Sequence, residues 1–242
     1  MPDVIYSSRN KIATITISNP QKYNIFTHEI VHKLNAAWSR FNNSEDRVAV
    51  LTGEGEAAFT AGANLKDIPH DLWRAVPGVG IDVNKPIIAA ISGLVVGGGL
   101  VLVQMADLAI ATEQSTFSYP EAKIGFTGGL IASLAARIPH KIAMELLFIG
   151  ESISAQRAYE AGLINKVTPQ GEHLNTAYAW AEKIAKNSPV VLQTLKDYVG
   201  KTIPKGPSEI SASYRAQIEH VINSPDFDEG IDAFISKRTP NF

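Results

Sequence analysis

The chain has no cysteine. Disulfides, thiol nucleophiles and cysteine-ligated metals are excluded at once. It has no excess of either charge, since 22 Lys and Arg against 24 Asp and Glu leave a formal net charge of −2. That balance gives no footprint for a nucleic-acid or polybasic membrane partner. Six histidines are scattered without HExxH or similar spacing, so a metal site has no support. No apolar run reaches membrane-spanning length, because glycines, Gln104 and Asp107 break the longest one. The opening MPDVIYSSRNK lacks the apolar centre of a secretory signal. A soluble, cytoplasmic protein is the expectation. What is present, 45% hydrophobic and 19% charged residues over 242 positions, suits one large domain, or one and a half, with ample core.

The chain is organised around Ile87 to Glu121. A β-branched apolar run, Ile87–Ile91, stops at Ser92-Gly93, three glycines follow at Gly97-Gly98-Gly99, and Leu100–Met105 then runs at helical spacing. Strand, glycine turn, helix is the reading. Before it, Val4–Tyr6 and Ile12–Ile17 read as a hairpin around Ser7–Asn10. Thr27 caps a helix whose core face carries Ile30, Leu34, Trp38 and Phe41, and Val48–Thr52 is a buried strand. Ala57–Asp67 is a run of small residues leading into a short helix, and Ile68–Lys85 is an irregular loop. After it, Leu108–Ala111 pairs parallel to Ile87–Ile91, and Thr116–Tyr119 is a further strand. From Thr127 the pattern becomes mostly helical, through Lys141–Ile149, Ala155–Ala161, Leu174–Lys186, Val190–Val199, Ser208–Ile222 and Asp226–Ser236. An α/β class with repeated strand–strand–helix units and an appended helical tail follows.

Three features of this pattern can converge on one site: Ala61-Gly62-Ala63, the glycine triplet at its helix start, and Glu121 after Pro120. Two backbone amides from separate loops can hold the oxygen of an enolised thioester, while one carboxylate moves a proton at carbon. Each feature also has a plain structural reading. Tight helix–strand packing accounts for glycines, and an acid at a helix start is favoured by the dipole.

Four ordered motifs carry a family resemblance over almost the whole length: AAFTAGANLKD, AAISGLVVGGGLVLVQMADLAIAT, FSYPEAKIGF and ELLFIGESISAQRAYEAGLINKV. They resemble the segments AFxAGADLK, AxxxGxxxGGGxxLxxxxDxxIA, FxxPExxxG and ELLLTGxxxxAxxAxxxGLVNxV of the enoyl-CoA hydratase/isomerase (crotonase) superfamily. The resemblance implies a crotonase (ClpP-like) spiral, with residues 1–185 as core and 186–242 as a C-terminal helical oligomerisation region. It implies a homo-oligomer, a trimer or dimer of trimers. It also implies an acyl-CoA substrate and no separate cofactor, coenzyme A being part of the substrate. Ala63 and Gly98 would supply the oxyanion-hole amides and Glu121 the acid/base. Ala61 and Leu65 would meet the adenine through backbone atoms. Gln21, Lys22 and Tyr23 would border the pantetheine and phosphates, and Phe234 and Lys237 would reach a neighbouring subunit's CoA. Either lysine is equally readable as a solvated surface charge.

The departures from the pattern bear on the reaction. Hydratases of this family use two glutamates, and the first falls here on Val101. One carboxylate suits proton shuttling, so double-bond isomerisation is the first expectation. Hydration, or decarboxylation, hydrolysis or C–C cleavage of an acyl-CoA, follows as an alternative, and a catalytically idle CoA-thioester-binding subunit is the alternative of another class. His70 or Asp71, in the loop over the acyl end, is a candidate second acid/base or a solvated residue, with Trp73 lining or shielding the pocket. Asn64 replaces the usual Asp and can cap a helix. Phe126–Ile131 lacks the family's proline, which leaves acyl specificity open. His28 and His32, one helical turn apart, and His140 read as surface or packing residues.

Overall fold

The structure, a computed structural model, describes residues 2–242. Strands β1 (Asp3–Arg9) and β2 (Ile12–Ser18) form the expected antiparallel hairpin, with Arg9 opposite Ile12. The turn is tighter than Ser7–Asn10: β1 runs on to Arg9, and Asn10 and Lys11 alone turn the chain at φ 54° and 62°. Two consecutive positive φ angles match the twist of the flanking strands.

Helix α1 (His28–Asn42) starts where expected, the Thr27 hydroxyl accepting from the Ile30 N–H at 3.2 Å. Ile30, Leu34, Trp38 and Phe41 are all fully buried. Trp38 has a second task, since its Nε1–H donates to the Ala75 carbonyl at 3.0 Å. Asn35 Nδ2 likewise donates to the Arg74 carbonyl at 2.7 Å. Together they fix a short 3-10 turn, Leu72–Ala75, against α1. Trp38→Ala is expected to cost about 3–5 kcal/mol, read as a lower urea midpoint, and to loosen that turn.

A spiral follows, each turn giving one strand to each of two sheets. The strand pairs are β3 (Val48–Gly53) with β4 (Ala58–Thr60), β5 (Ile87–Ile91) with β6 (Leu94–Val96), and β7 (Leu108–Thr112) with β8 (Thr116–Ser118). Helix α2 (Gly98–Met105) follows β6, and the short α3 (Glu121–Ile124) follows β8. The last strands are β9 (Ile153–Ser154) and β10 (Lys166–Thr168). Among the described residues the larger sheet has the order β1-β2-β3-β5-β7-β10, parallel from β2 onward, and the smaller β4-β6-β8-β9. β5 pairs parallel with β7 as expected.

The central strands β3, β5 and β7 of the larger sheet are covered on both faces, which is why they read as nearly unbroken apolar runs. On β5, Ile87, Ala89 and Ile91 join the core with α1, whereas Ile88 and Ala90 face the other way. There they meet Ala177 and Ala181 of α6 (His173–Ala185).

The remaining helices are α4 (His140–Ile149), α5 (Ala155–Glu160), α7 (Pro189–Thr202), α8 (Pro207–Ile222) and α9 (Pro225–Ile235). Each of the six expected segments is helical, with no end displaced by more than three residues. The short helix expected near Leu65 is instead a turn. Asn64 commits its N–H to the Phe26 carbonyl at 2.9 Å, and its side chain accepts from the Lys66 N–H at 3.3 Å. That is an Asx-type closure rather than a helix cap. Among the described residues no helix is long and apolar enough to cross a membrane.

Candidate active site

The parallel pairing of β4, β6 and β8 brings three chain segments to one edge. Gly62, just after β4, has φ +84°, and a Cβ there would sit 2.9 Å from the Val96 carbonyl oxygen. Phe26 donates to the Gly62 carbonyl at 2.8 Å and accepts from Asn64, so Ala63 is held between two backbone bonds. Gly97 caps α2 at φ 55°, ψ −114°, and donates its N–H to the Ser118 carbonyl of β8 at 3.0 Å. Gly98 opens α2. Among the described residues neither the Ala63 nor the Gly98 N–H meets a protein acceptor. Both residues line one cavity of about 520 Å³. Two free amides facing a cavity, one at a helix start, are a place for developing negative charge.

Glu121 lines the same cavity at 8% exposure. It sits one residue past Pro120, at the first position of α3, and a Cβ on Gly97 would overlap its Oε1. The carboxylate therefore lies against bare glycine backbone. Its Oε2 is buried with no partner. Burial pushes the Glu121 carboxyl up to about 7, against a smaller opposing pull from its own backbone N–H. A carboxyl poised there can both take and return a proton near neutral pH.

The walls around it are mostly apolar. Val101, where a second glutamate would stand, is a buried wall residue at 3% exposure. Among the described lining residues Glu121 is the only carboxylate. Tyr119, two residues before Glu121, hydrogen-bonds Thr127 at 3.1 Å across the cavity wall. Burial raises its phenol to about 12, the Glu121 charge adding to the rise, so it stays protonated. The 3-10 turn supplies Leu72 and Trp73, the latter lining the pocket as expected. His70 also lines the cavity, on its exposed side. Asp71 does not: its carboxylate faces His28 at 3.5 Å, His32 at 3.7 Å and Arg74 at 3.7 Å. His28 also faces Asp67 at 3.4 Å. The histidine pair is thus a polar fastening between α1 and the loop above the cavity.

The remaining expected residues lie outside the cavity. Gln21 and Lys22 form an exposed 3-10 turn, and Tyr23 follows at φ 53°, its carbonyl accepting from the Ala61 N–H at 2.9 Å. That bond ties the Gln21–Tyr23 segment to Ala61. Leu65 is exposed beside it. Phe234 and Lys237, at the end of α9, are exposed and do not line the cavity. Sequence reasoning missed two sets of wall residues. One is Tyr119, signalled only by its place two positions before Glu121; its partner Thr127 belongs to the Phe126–Ile131 segment that the sequence already tied to acyl specificity, and Phe126, Thr127, Gly128 and Leu130 of that segment line the cavity. The other is the face of α8 carrying Ser208, Ser211, Ala212 and Arg215, signalled by their three- and four-residue spacing. The cavity therefore draws a wall from beyond residue 185.

The family model described as enoyl-CoA hydratase/isomerase matches residues 7–242. The chain belongs to the enoyl-CoA hydratase/isomerase family. It is 34% identical to the (E)-benzylidenesuccinyl-CoA hydratase of Thauera aromatica, over 96% of each chain. It is 31% identical to the carnitinyl-CoA dehydratase of Proteus mirabilis, over 98% of this chain and 96% of that one. Its fold is similar to the crystal structure of enoyl-CoA hydratase from Mycobacterium tuberculosis, with a TM-score of 0.77 and 33% identity over 100% and 98% of the two chains. As a family member the protein is an acyl-CoA enzyme with the crotonase fold and a C-terminal helical region.

Proposed function

We propose that the protein shifts the double bond of an enoyl-CoA thioester, with Glu121 as the single acid/base. The Ala63 and Gly98 amides take the thioester oxygen. The Glu121 carboxylate removes a proton from C2 of a 3-enoyl-CoA, leaving a dienolate whose oxygen charge the two amides hold. The same carboxyl then delivers the proton to C4, giving the 2-enoyl-CoA. One proton leaves and one returns, and no water is consumed. The observation that carries this reading is a sole, neutral-range carboxylate facing a buried Val101. Proton transfer and oxyanion binding account for the whole conversion, so no cofactor beyond the substrate's own CoA is invoked.

A second reading, hydration of a 2-enoyl-CoA or its reverse, is favoured by the names of the relatives, which are hydratases and dehydratases. It requires a water oriented without a second carboxylate, a task the buried Tyr119 hydroxyl in the cavity wall would have to take. Mass spectrometry and NMR of the products formed from a 3-enoyl-CoA in deuterated water separate the two. A 2-enoyl-CoA without 3-hydroxyacyl product is expected, with deuterium at C4 measuring how far the Glu121 carboxyl exchanges with solvent before it returns the proton. A 3-hydroxyacyl-CoA as the main product would replace isomerisation with hydration.

In this reading CoA runs over Gln21, Lys22, Tyr23, Ala61 and Leu65, and Phe234 and Lys237 serve the CoA of an adjacent copy. Residues 186–242 would then be the oligomerisation region of a trimer or dimer of trimers. The exposed apolar residues of α7 and α9, among them Val191, Leu195, Phe234 and Ile235, support that assembly. Sedimentation equilibrium giving the mass of a monomer would count against it.

A further inference from the structure

We infer that the acyl group this site takes ends in a carboxylate, bound by Arg215 of α8. The inference rests on the proposed placement of the thioester at Ala63 and Gly98, and it concerns the other end of the acyl chain.

One face of α8 closes the cavity, and that face is polar where the facing wall is apolar. Ser208, Ser211 and Arg215 line it around the buried Ala212, opposite Val101, Leu130 and Trp73. The helix is fixed in place at both ends. Glu209, 2% exposed, faces Arg137 at 3.8 Å, and Glu219 pairs with Arg74 at 2.7 Å. The Ser208 hydroxyl packs against Gly129, whose φ of +74° and lack of a side chain leave room for it. Arg215 is therefore carried by an anchored helix rather than a loose loop.

The charges around Arg215 are already assigned, except its own. Glu219, one turn further along α8, is engaged by Arg74. Glu209 is engaged by Arg137, and Asp71 by His28, His32 and Arg74. Among the described residues no carboxylate lies within 4 Å of the Arg215 guanidinium. The one acid of the cavity, Glu121, is the proton carrier of the reaction. Among the described lining residues Arg215 is thus the one permanent charge, a cation exposed at the cavity's open side.

Arg215 and Ser211 are exposed at the mouth of the cavity, so the guanidinium keeps its water until an acyl group reaches it, and an aliphatic end there would displace part of that water without offering a hydrogen bond in return. A terminal carboxylate would accept two parallel N–H bonds from the planar guanidinium, with the Ser211 hydroxyl beside it as a further donor. The substrate class is accordingly a monothioester of CoA with an unsaturated dicarboxylic acid.

The test uses the full-length protein and saturated probes that cannot react, so that it is independent of isomerisation or hydration. Dissociation constants are measured by calorimetry for free CoA, butyryl-CoA, hexanoyl-CoA, glutaryl-CoA and adipoyl-CoA, with wild type, Arg215→Met and Arg215→Lys. The dicarboxylic probes are expected to bind the wild type roughly ten- to a hundredfold more tightly than the monocarboxylic ones. Arg215→Met should erase that preference while leaving butyryl-CoA and free CoA within about twofold, and Arg215→Lys should restore part of it. Equal affinity of wild type for both classes would overturn the inference. So would an Arg215→Met variant that weakens all five probes alike, since Arg215 would then hold the CoA phosphates. A wild type that binds none of the five would instead remove the thioester reading on which the inference stands.

Discussion

Glu121→Gln is expected to lower kcat about a thousandfold or more while making the protein more stable at pH 8. The loss follows from its role, because glutamine cannot take a proton from carbon, and positioned acid/base groups contribute on the order of a hundred- to ten-thousandfold. The gain follows from burial. The folded protein holds the Glu121 proton more tightly than the unfolded chain does, with values of about 7 and 4.5. The native state therefore binds more protons across that interval, and the contribution of Glu121 to stability falls as pH rises from 4.5 through 7. Above pH 7 the ionised carboxylate sits buried with Oε2 unpartnered, at a cost of roughly 3 kcal/mol. Glutamine removes the charge, so the difference in Tm between variant and wild type should be small near pH 4.5 and grow to its full size by pH 8. The same titration predicts that wild-type kcat/KM rises with pH around an apparent value near 7, since the free carboxylate is the base. Retained turnover in Glu121→Gln would remove this residue from the mechanism. A Tm difference independent of pH would show that its carboxyl is not desolvated as described.

Most of the architecture was legible because the larger sheet and its helices are long enough to show their periods. The α1 face from Ile30 to Phe41 and the run Ile87–Ile91 follow directly from spacing and β-branching. The smaller sheet was harder: β8 shows as the expected strand Thr116–Tyr119, but β4 and β6 are three residues each and no alternation can be read from three. β6 lies between Gly93 and Gly97, both at positive φ, so on paper the whole segment looks like a turn. Its order comes from elsewhere, through parallel pairing with β4 and β8. Asn24 is similarly silent in sequence. It is fully buried, accepts from the Asn19 N–H at 2.8 Å and donates to the carbonyls of Glu54 and Ala58. Those bonds hold the Gln21–Tyr23 segment to the start of the strand that leads to Ala63.

The site was legible in its reacting centre and hidden in its walls. Gly62-Ala63, Gly97-Gly98 and Pro120-Glu121 announce themselves because each sits at a sharp change of local pattern. Arg215 does not, since it lies on an ordinary amphipathic helix more than ninety positions from Glu121. Only the anchoring of α8 by Glu209 and Glu219 turns that surface into a cavity wall. The same distinction explains why an acyl-CoA thioester chemistry can be read from motifs while the acyl group cannot.

Gly97→Ala is expected to damage both stability and turnover. Two separate penalties meet there. The backbone at φ 55°, ψ −114° is one that residues with a Cβ avoid, costing on the order of 1–3 kcal/mol. The new methyl would also overlap Glu121 Oε1, so the carboxylate must leave its place or the turn must shift. If the turn shifts, the Gly98 amide moves with it, and losing one oxyanion donor lowers kcat by about a hundred- to a thousandfold. Gly200→Ala is the control. Gly200 lies in α7 with nothing within 4 Å of the place its Cβ would take, and alanine there should be neutral or stabilising by about 0.5–1 kcal/mol. Thermal denaturation and turnover of the two variants test the geometry directly, and equal behaviour would refute it. The two penalties can then be separated with Glu121→Ala as background. Removing that side chain abolishes the overlap but leaves the backbone as it is. Gly97→Ala should therefore destabilise Glu121→Ala less than it destabilises the wild type, the difference measuring the contact. An undiminished loss would place the whole effect in the backbone, and the Gly98 amide rather than the carboxylate would be what Gly97 protects.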